Sequence, residues 1–190
     1  MAGPAFAIFD TPIGACGIVW KDGAVVATAL PETDEAALVC ALTRRVPGAM
    51  RGDMPLPVAE LAETIITHLS GGAIDYDLSI LDFSAVEPFE KAVYDATFAI
   101  PRGETRTYGA LGAAIGQPGA ARAIGRALGR NPFPIVIPCH RILAAGGRSG
   151  GFSAPGGAAT KMRLLDIEGA RREGEEAGLF DALPWALKAS

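Results

Sequence analysis

A run of β-favouring apolar residues, Ile135-Val136-Ile137, ends at Pro138 and is followed at once by Cys139, His140 and Arg141. No other stretch limits the fold so tightly. Proline removes a ladder donor and sits badly inside a sheet, so the run predicts a buried approach segment that delivers Cys139 to a turn. Cysteine is the most nucleophilic common side chain, but only as the thiolate, about 3% of an unperturbed thiol at neutral pH. A free cysteine is usually a small, inert core residue. Cys16 is read that way, sharing one strand face with Ile18 and Trp20, and so is Cys40, inside the apolar stretch 38–42. The crowding of Pro138, His140 and Arg141 around Cys139 predicts a reactive thiol instead. In an extended segment the Cys139 and His140 side chains diverge, so a bridging water is expected to pass a proton between them.

Charge divides the chain. Residues 1–85 hold four Lys/Arg against eleven Asp/Glu, a net of −7. Residues 86–172 hold twelve against six, a net of +6, and residues 173–190 one against four, a net of −3. These boundaries predict an acidic scaffold domain, a basic domain carrying Cys139, and an acidic C-terminal tail whose apolar end (Leu179-Phe180, Leu183-Pro184-Trp185) packs back on the surface. A basic half points to a polyanion partner. Three widely spaced cysteines are no disulfide framework and fit a reducing cytoplasm. With only two histidines and no C-x-x-C pair, no metal site is expected. No apolar run has membrane-spanning length, and the first ten residues lack the marks of a signal peptide.

In the acidic part, alternation predicts strands over 5–10, 15–20 and 24–30, joined at Thr11-Pro12 and Lys21-Asp22-Gly23 as a meander. Thr33 then caps a helix that Arg44 and Arg45 close. A loop over 47–57 leads to a second helix with Val58, Leu61, Ile65 and Leu69 on one face, stopped at Gly71-Gly72. His68, at the edge of that face, is read as structural. A strand over 78–83 completes an α+β unit in which nothing looks catalytic.

In the basic part, Pro88 opens a helix with Phe89, Val93, Ala96 and Ile100 along its stripe, ended by Pro101. Thr107 caps a short helix from Tyr108, Gly116-Gln117-Pro118-Gly119 turns, and a third helix spans 120–129, the helix-turn-helix pattern. Ala121, Ile124 and Leu128 form the inner side of that third helix. Arg122, Arg126 and Arg130 follow at i, i+4 and i+8 on the other. From residue 101 to 148 there are seven arginines and one glutamate, so the stripe has no acidic partners and suits phosphates. The glycine-rich stretch 144–157 lacks the G-K-[ST] of a phosphate loop. It is either a wing or a loop whose backbone approaches a ligand closely. A helix over 158–167 ends at Glu168.

Pro138-Cys139-His140-Arg141, preceded by Asn131-Pro132 and the Arg122 helix, resembles the O6-alkylguanine-DNA alkyltransferase family over residues 80–172. The resemblance implies an N-terminal ribonuclease-H-like domain and a winged-helix-type DNA-binding domain. That domain binds duplex DNA through the minor groove and flips the damaged guanine out. It implies that Cys139 accepts the alkyl group irreversibly from O6-alkylguanine and O4-methylthymine, with His140 acting through water as base and Glu168 orienting the imidazole. Tyr108 would donate to the guanine and Asn131 would brace the cysteine's turn. Arg122 would fill the gap in the base stack. Arg126, Arg130 and Arg141 would join it on the DNA, and the backbones of Cys139, Ile142 and Ser153 would read the flipped base. Phe152, where many members carry tyrosine, bears on the size of alkyl group accepted. The protein so implied is a monomer that needs no cofactor, because the alkyl group comes from DNA. A non-enzymatic winged-helix lesion sensor or regulator is the main competing function. A cysteine hydrolase is the second.

Overall fold

The computed structural model describes residues 3–146 and 156–170, a mixed α+β arrangement. Strands β1 (Ala5–Thr11), β2 (Gly14–Lys21) and β3 (Ala24–Ala29) form the expected antiparallel meander. The β2–β3 turn needs two left-handed residues, which Asp22 (φ 49°) and Gly23 (φ 87°) supply. One strand was not foreseen: the two-residue β4 (Met50–Arg51) lies in the loop after the first helix and pairs parallel with β1, giving the order β3-β2-β1-β4.

The sheet is covered on both faces, so buried residues run continuously through the middle of β2. On one face Phe6, Val19 and Ala27 pack with Leu38 and Leu42 of α1 (Glu35–Arg45). Gly17 makes that approach possible, since a Cβ there would stand 2.7 Å from Leu42 Cδ1. Asp34, one residue after the expected Thr33, is the N-cap: its carboxylate accepts the Ala37 N–H at 2.8 Å. Cys40 is exposed, against the expectation of a packed residue, because the inward face of α1 is carried by Leu38 and Leu42.

On the other face Ala7, Cys16, Ile18 and Val25 meet Val58, Leu61 and Ile65 of α2 (Leu56–Leu69). That core continues into the basic half through Val93, Ile124 and Ile137. The strand expected over 78–83 is instead a single 3-10 turn (Leu78–Ile80), followed by one parallel bridge from Leu81 to Val25. Asp77 and Asp82 each accept from a nearby serine N–H, which favours turns over a ladder.

The basic half contains α3 (Pro88–Phe98), α4 (Tyr108–Ala114), α5 (Ala121–Gly129) and α6 (Gly157–Ile167). Two residue pairs, β5 (Arg106–Thr107) and β6 (Ile142–Leu143), form a small parallel ladder. Pro88 opens α3, and Thr107 caps α4 by accepting the Ala110 N–H at 3.1 Å. The helices α4 and α5 pack closely because residue 112 is glycine: a Cβ there would lie 2.9 Å from Gln117 O and 3.2 Å from Ile124 Cδ1. On α5 the buried residues are Ile124, Ala127 and Leu128, while Ala121 faces solvent rather than the core. Among the described residues no helix is long and apolar enough to cross a membrane.

Candidate functional site

The approach to Cys139 is buried, as expected, and is itself folded into a turn. Ile137 N–H donates to Phe133 O at 2.8 Å, and Ile135 takes the left-handed conformation at φ 79°. For a β-branched residue this costs roughly 1–3 kcal/mol, sustained only where the surroundings over-determine it. Here they do. Asn131, buried, donates from Nδ2 to Ile137 O at 2.9 Å, and its Oδ1 accepts the Phe133 N–H at 2.9 Å. From the acidic half, Thr28 donates its N–H to Pro132 O at 2.8 Å and its hydroxyl to Pro134 O at 2.9 Å. Arg45 of α1 reaches Pro132 O as well, at 3.3 Å. The sheet thus serves as the platform for the cysteine's turn.

Cys139, His140 and Arg141 form a single 3-10 turn closed by Arg141 N–H to Pro138 O at 2.9 Å. Burial pushes the Cys139 thiol above its ordinary pKa, opposed by the Asn131 hydrogen bond and by the charges of Lys161 and Arg45. His140 is 1% exposed. Its Nε2 lies 2.9 Å from Glu168 Oε1, while its Nδ1 is buried without a partner. Facing a carboxylate, Nε2 carries the proton, which leaves a lone pair on Nδ1. Burial holds the imidazole below its usual pKa, although Glu168 pulls the other way, so the ring is neutral near pH 7.

Glu168 follows α6 and is itself buried. Burial raises a carboxyl's pKa, but hydrogen bonds from His140, His68 and Arg141 outweigh it and hold Glu168 far below the usual range. Arg141 supplies two of those bonds, Nε to Oε2 and Nη2 to Oε1, each 2.8 Å. Its Nη1 donates to Ile100 O. The guanidinium therefore faces inward, with each of its three nitrogens on a protein acceptor, unlike the DNA-facing side chain expected. The pairing is a fork on a carboxylate, which buries both charges.

Lys161 of α6 is fully buried and donates from Nζ to Ile142 O; burial lowers its pKa to about 8, against the pull of Cys139. Ile142 is buried too, with its N–H given to Cys139 O. Tyr108 opens α4, half-buried, and burial together with the charge at Cys139 raises its phenol pKa. Beside it, on α5, Arg122, Arg126 and Arg130 are exposed. Arg130 does have an acidic partner, Glu90 of α3, at 3.0 Å, contrary to the expectation of an unpaired stripe. Among the described residues Arg122 and Arg126 have no carboxylate partner. Phe152 and Ser153, most of the glycine-rich stretch and the acidic tail lie outside the described residues.

One contributor was missed in the sequence. His68, read as merely structural, is buried and donates from Nε2 to Glu168 Oε1 at 2.9 Å. Its signal was present: a histidine on the otherwise apolar face of α2 demands a polar partner. The partner stands 100 residues away in sequence, with no local pattern to reveal it.

Residues 88–170 match the family described as "6-O-methylguanine DNA methyltransferase, DNA binding domain". A methylated-DNA–protein-cysteine methyltransferase of Methanothermobacter thermautotrophicus is 37% identical over 164 residues, 86% of this chain and 85% of the relative. One from Mycolicibacterium paratuberculosis is 40% identical over 127 residues, 67% of this chain and 74% of the relative. Among solved structures, Mycobacterium tuberculosis OGT in complex with DNA superposes with a TM-score of 0.70 at 28% identity, covering 87% of this chain and 92% of that one. The O6-methylguanine-DNA methyltransferase of Pyrococcus kodakaraensis gives 0.65 at 28% identity, covering 88% and 99%.

Proposed function

The chain belongs to the methylated-DNA–protein-cysteine methyltransferase family, and from that premise we propose that it repairs O6-alkylguanine in duplex DNA by moving the alkyl group onto Cys139. One observation carries the assignment of residues. His140, next to Cys139, is a neutral imidazole oriented through Nε2 by Glu168, with a buried lone pair on Nδ1.

In the proposed reaction the thiol proton passes through water to Nδ1 of His140, and Glu168 offsets the imidazolium charge that forms. The sulfur attacks the alkyl carbon in line, so an S–C bond forms as the C–O6 bond breaks. The electron pair stays on the guanine, which gains a proton at the ring from Tyr108, and the proton held by His140 is given up to water as the phenol takes one back, so no net charge remains. Restored guanine and a thioether are the products. A thioether has no ordinary reductive exit, so each molecule acts once. Asn131 holds the turn that aims the sulfur.

The helix pair α4–α5 is read as the helix-turn-helix of a winged-helix-type domain over residues 86–172, and residues 1–85 as a ribonuclease-H-like scaffold. The exposed Arg122 and Arg126 fit phosphates and the minor groove, with Arg122 filling the stack after the lesion is flipped out. Phe152 and Ser153 are assigned to the lesion pocket by resemblance alone. O4-methylthymine as a second substrate and a cytoplasmic location complete the reading.

The test is an intact-mass spectrum after incubation with duplex DNA carrying O6-methylguanine, followed by peptide mapping. One added methyl on the Cys139 peptide, at one equivalent and no more, is expected. Unmodified protein that still bound the lesion tightly would replace this reading with a lesion sensor.

A further inference from the structure

We propose that His68 and Tyr76 are positioning residues for alkyl transfer, reaching from the acidic half to hold the carboxylate that orients His140. This rests on the reading of Cys139, His140 and Glu168 given above. The chain has two histidines, and both end on the same oxygen. Glu168 Oε1 accepts from His68 Nε2 and His140 Nε2, each at 2.9 Å, and from Arg141 Nη2 at 2.8 Å. Behind His68, its Nδ1 lies 3.0 Å from the Tyr76 hydroxyl, and the two rings meet edge-on at 5.7 Å.

The hydrogen bonds order the protons along the chain of groups. Because His68 Nε2 faces a carboxylate it donates, and in the neutral ring Nδ1 then holds the lone pair and accepts from Tyr76 O–H. Burial and the neighbouring Glu168 charge keep that phenol protonated. A relay of Tyr76, His68 and Glu168 therefore reaches His140 from the side opposite its free Nδ1.

Packing alone does not account for the imidazole. The inward face of α2 is otherwise Val58, Leu61, Ala62, Ile65 and Leu69, and a leucine at 68 would continue it without burying a polar ring. What the histidine adds is a third N–H on an oxygen with two lone pairs. The three donors divide the carboxylate's charge, and the share left to His140 depends on His68. The groups facing the His140 ring are Glu168 beyond α6, Arg141 on its own turn and His68 from α2. With the His68 donor removed, Glu168 turns more fully on His140 and favours its protonated form. The base is then blocked at higher pH, and Glu168 loses one of the hydrogen bonds that hold it in place.

The experiment compares wild type with His68→Phe, His68→Gln and Tyr76→Phe. Single-turnover alkyl transfer is measured from free O6-benzylguanine and from duplex O6-methylguanine, across about pH 5 to 9 where imidazoles titrate. Thermal unfolding, lesion-duplex affinity and the His140 ring titration by NMR accompany it. On its acid limb His68→Phe is expected to transfer roughly tenfold more slowly, the factor that a rise of about one unit in the His140 titration sets. Its acid limb and the His140 titration should both move to higher pH, with duplex affinity little changed. His68→Gln, which retains an N–H toward Glu168, should recover most of the rate. Tyr76→Phe removes a single hydroxyl and should shift the titration the same way by less, which carries the test if His68→Phe does not fold. An unmoved acid limb and titration in folded variants, or His68→Gln as slow as His68→Phe, would overturn the proposal. If the wild type transfers no alkyl group while the titration still shifts, the alkyltransferase reading falls and the positioning of His140 by His68 stands.

Discussion

Replacing Glu168 by glutamine keeps the shape of the side chain and removes its charge, which isolates what the carboxylate does. Its two oxygens accept four hydrogen bonds, three at Oε1 and one at Oε2. An amide has one acceptor oxygen and one NH2 group. Whichever way it is turned, the NH2 must face an N–H of Arg141, His68 or His140, and at least one buried donor is left unpaired. Arg141 also loses its counter-charge while remaining buried. Breaking a buried ion pair from one side costs about 3–5 kcal/mol. Against a total stability of roughly 5–15 kcal/mol, the variant is folded but fragile. Urea unfolding followed by circular dichroism should therefore give a loss of about 4 kcal/mol at neutral pH. Removing the arginine charge as well, in Glu168→Gln with Arg141→Met, should cost at least about 2 kcal/mol less than the sum of the two single losses. The pH dependence has a definite sign. The folded carboxyl pKa lies below its unfolded value of about 4.3, so its contribution is full above that pH and is lost as the pH falls. The gap between wild type and Glu168→Gln should close on acidification. A loss under about 1 kcal/mol, or strict additivity with Arg141→Met, would refute the idea that this carboxylate anchors the site.

Three further perturbations follow from the geometry. Asn131→Ala orphans the Phe133 N–H and leaves Ile137 O with the Cys139 N–H as its donor, for about 1–3 kcal/mol in urea unfolding. It should slow alkylation of Cys139 even where the protein is fully folded. Gly112→Ala would gain up to about 1 kcal/mol of helix propensity on an open helix. Here the new Cβ meets Gln117 O at 2.9 Å, so thermal unfolding should instead show a net loss. Arg122→Ala should weaken duplex binding and lower its salt slope by about 1. Reaction with free O6-benzylguanine should stay near the wild-type rate, and an equal loss in both would remove the arginine from the DNA.

The elements legible in the sequence were those whose information is local. Alternation and the Asp22-Gly23 turn marked the meander, and Pro88, Thr107 and Gly116 bounded helices through capping and φ preferences that act within a turn. What escaped depends on partners distant in sequence. The strand β4 is two exposed residues that pair only because β1 lies beside them. The left-handed Ile135 contradicts its own β propensity, and buried hydrogen bonds from Asn131 and Thr28 impose it. Arg141 sits beside Cys139 in sequence and was read with the DNA-facing arginines, yet one turn of 3-10 helix points it at Glu168. For the same reason the catalytic candidates could be named from the motif, while the support behind them could not.

That support bears on how a single-use nucleophile survives until it meets a lesion. Thiol reactivity follows the thiolate fraction, and catalytic cysteines are commonly activated by lowering their pKa. Cys139 is the reverse case: burial raises its thiol, and His140 is held neutral rather than as an imidazolium that would draw the proton off. The resting pair is thus a thiol beside a neutral base. An imidazole with a lowered pKa is a weak base in the ground state, so the ion pair forms only when something stabilises it. Glu168 is already ionised and fixed by Arg141, and can stabilise the imidazolium without rearrangement once the thiolate is consumed. The energetic gain is then concentrated at the moment of transfer and withheld from chance electrophiles and oxidants. Wild-type Cys139 should therefore react with iodoacetamide no faster than an ordinary thiol at pH about 7, while reacting rapidly with O6-benzylguanine. Fast alkylation by both reagents would mean that the thiolate is already present at rest, and that the buried His140–Glu168–Arg141 arrangement restrains nothing.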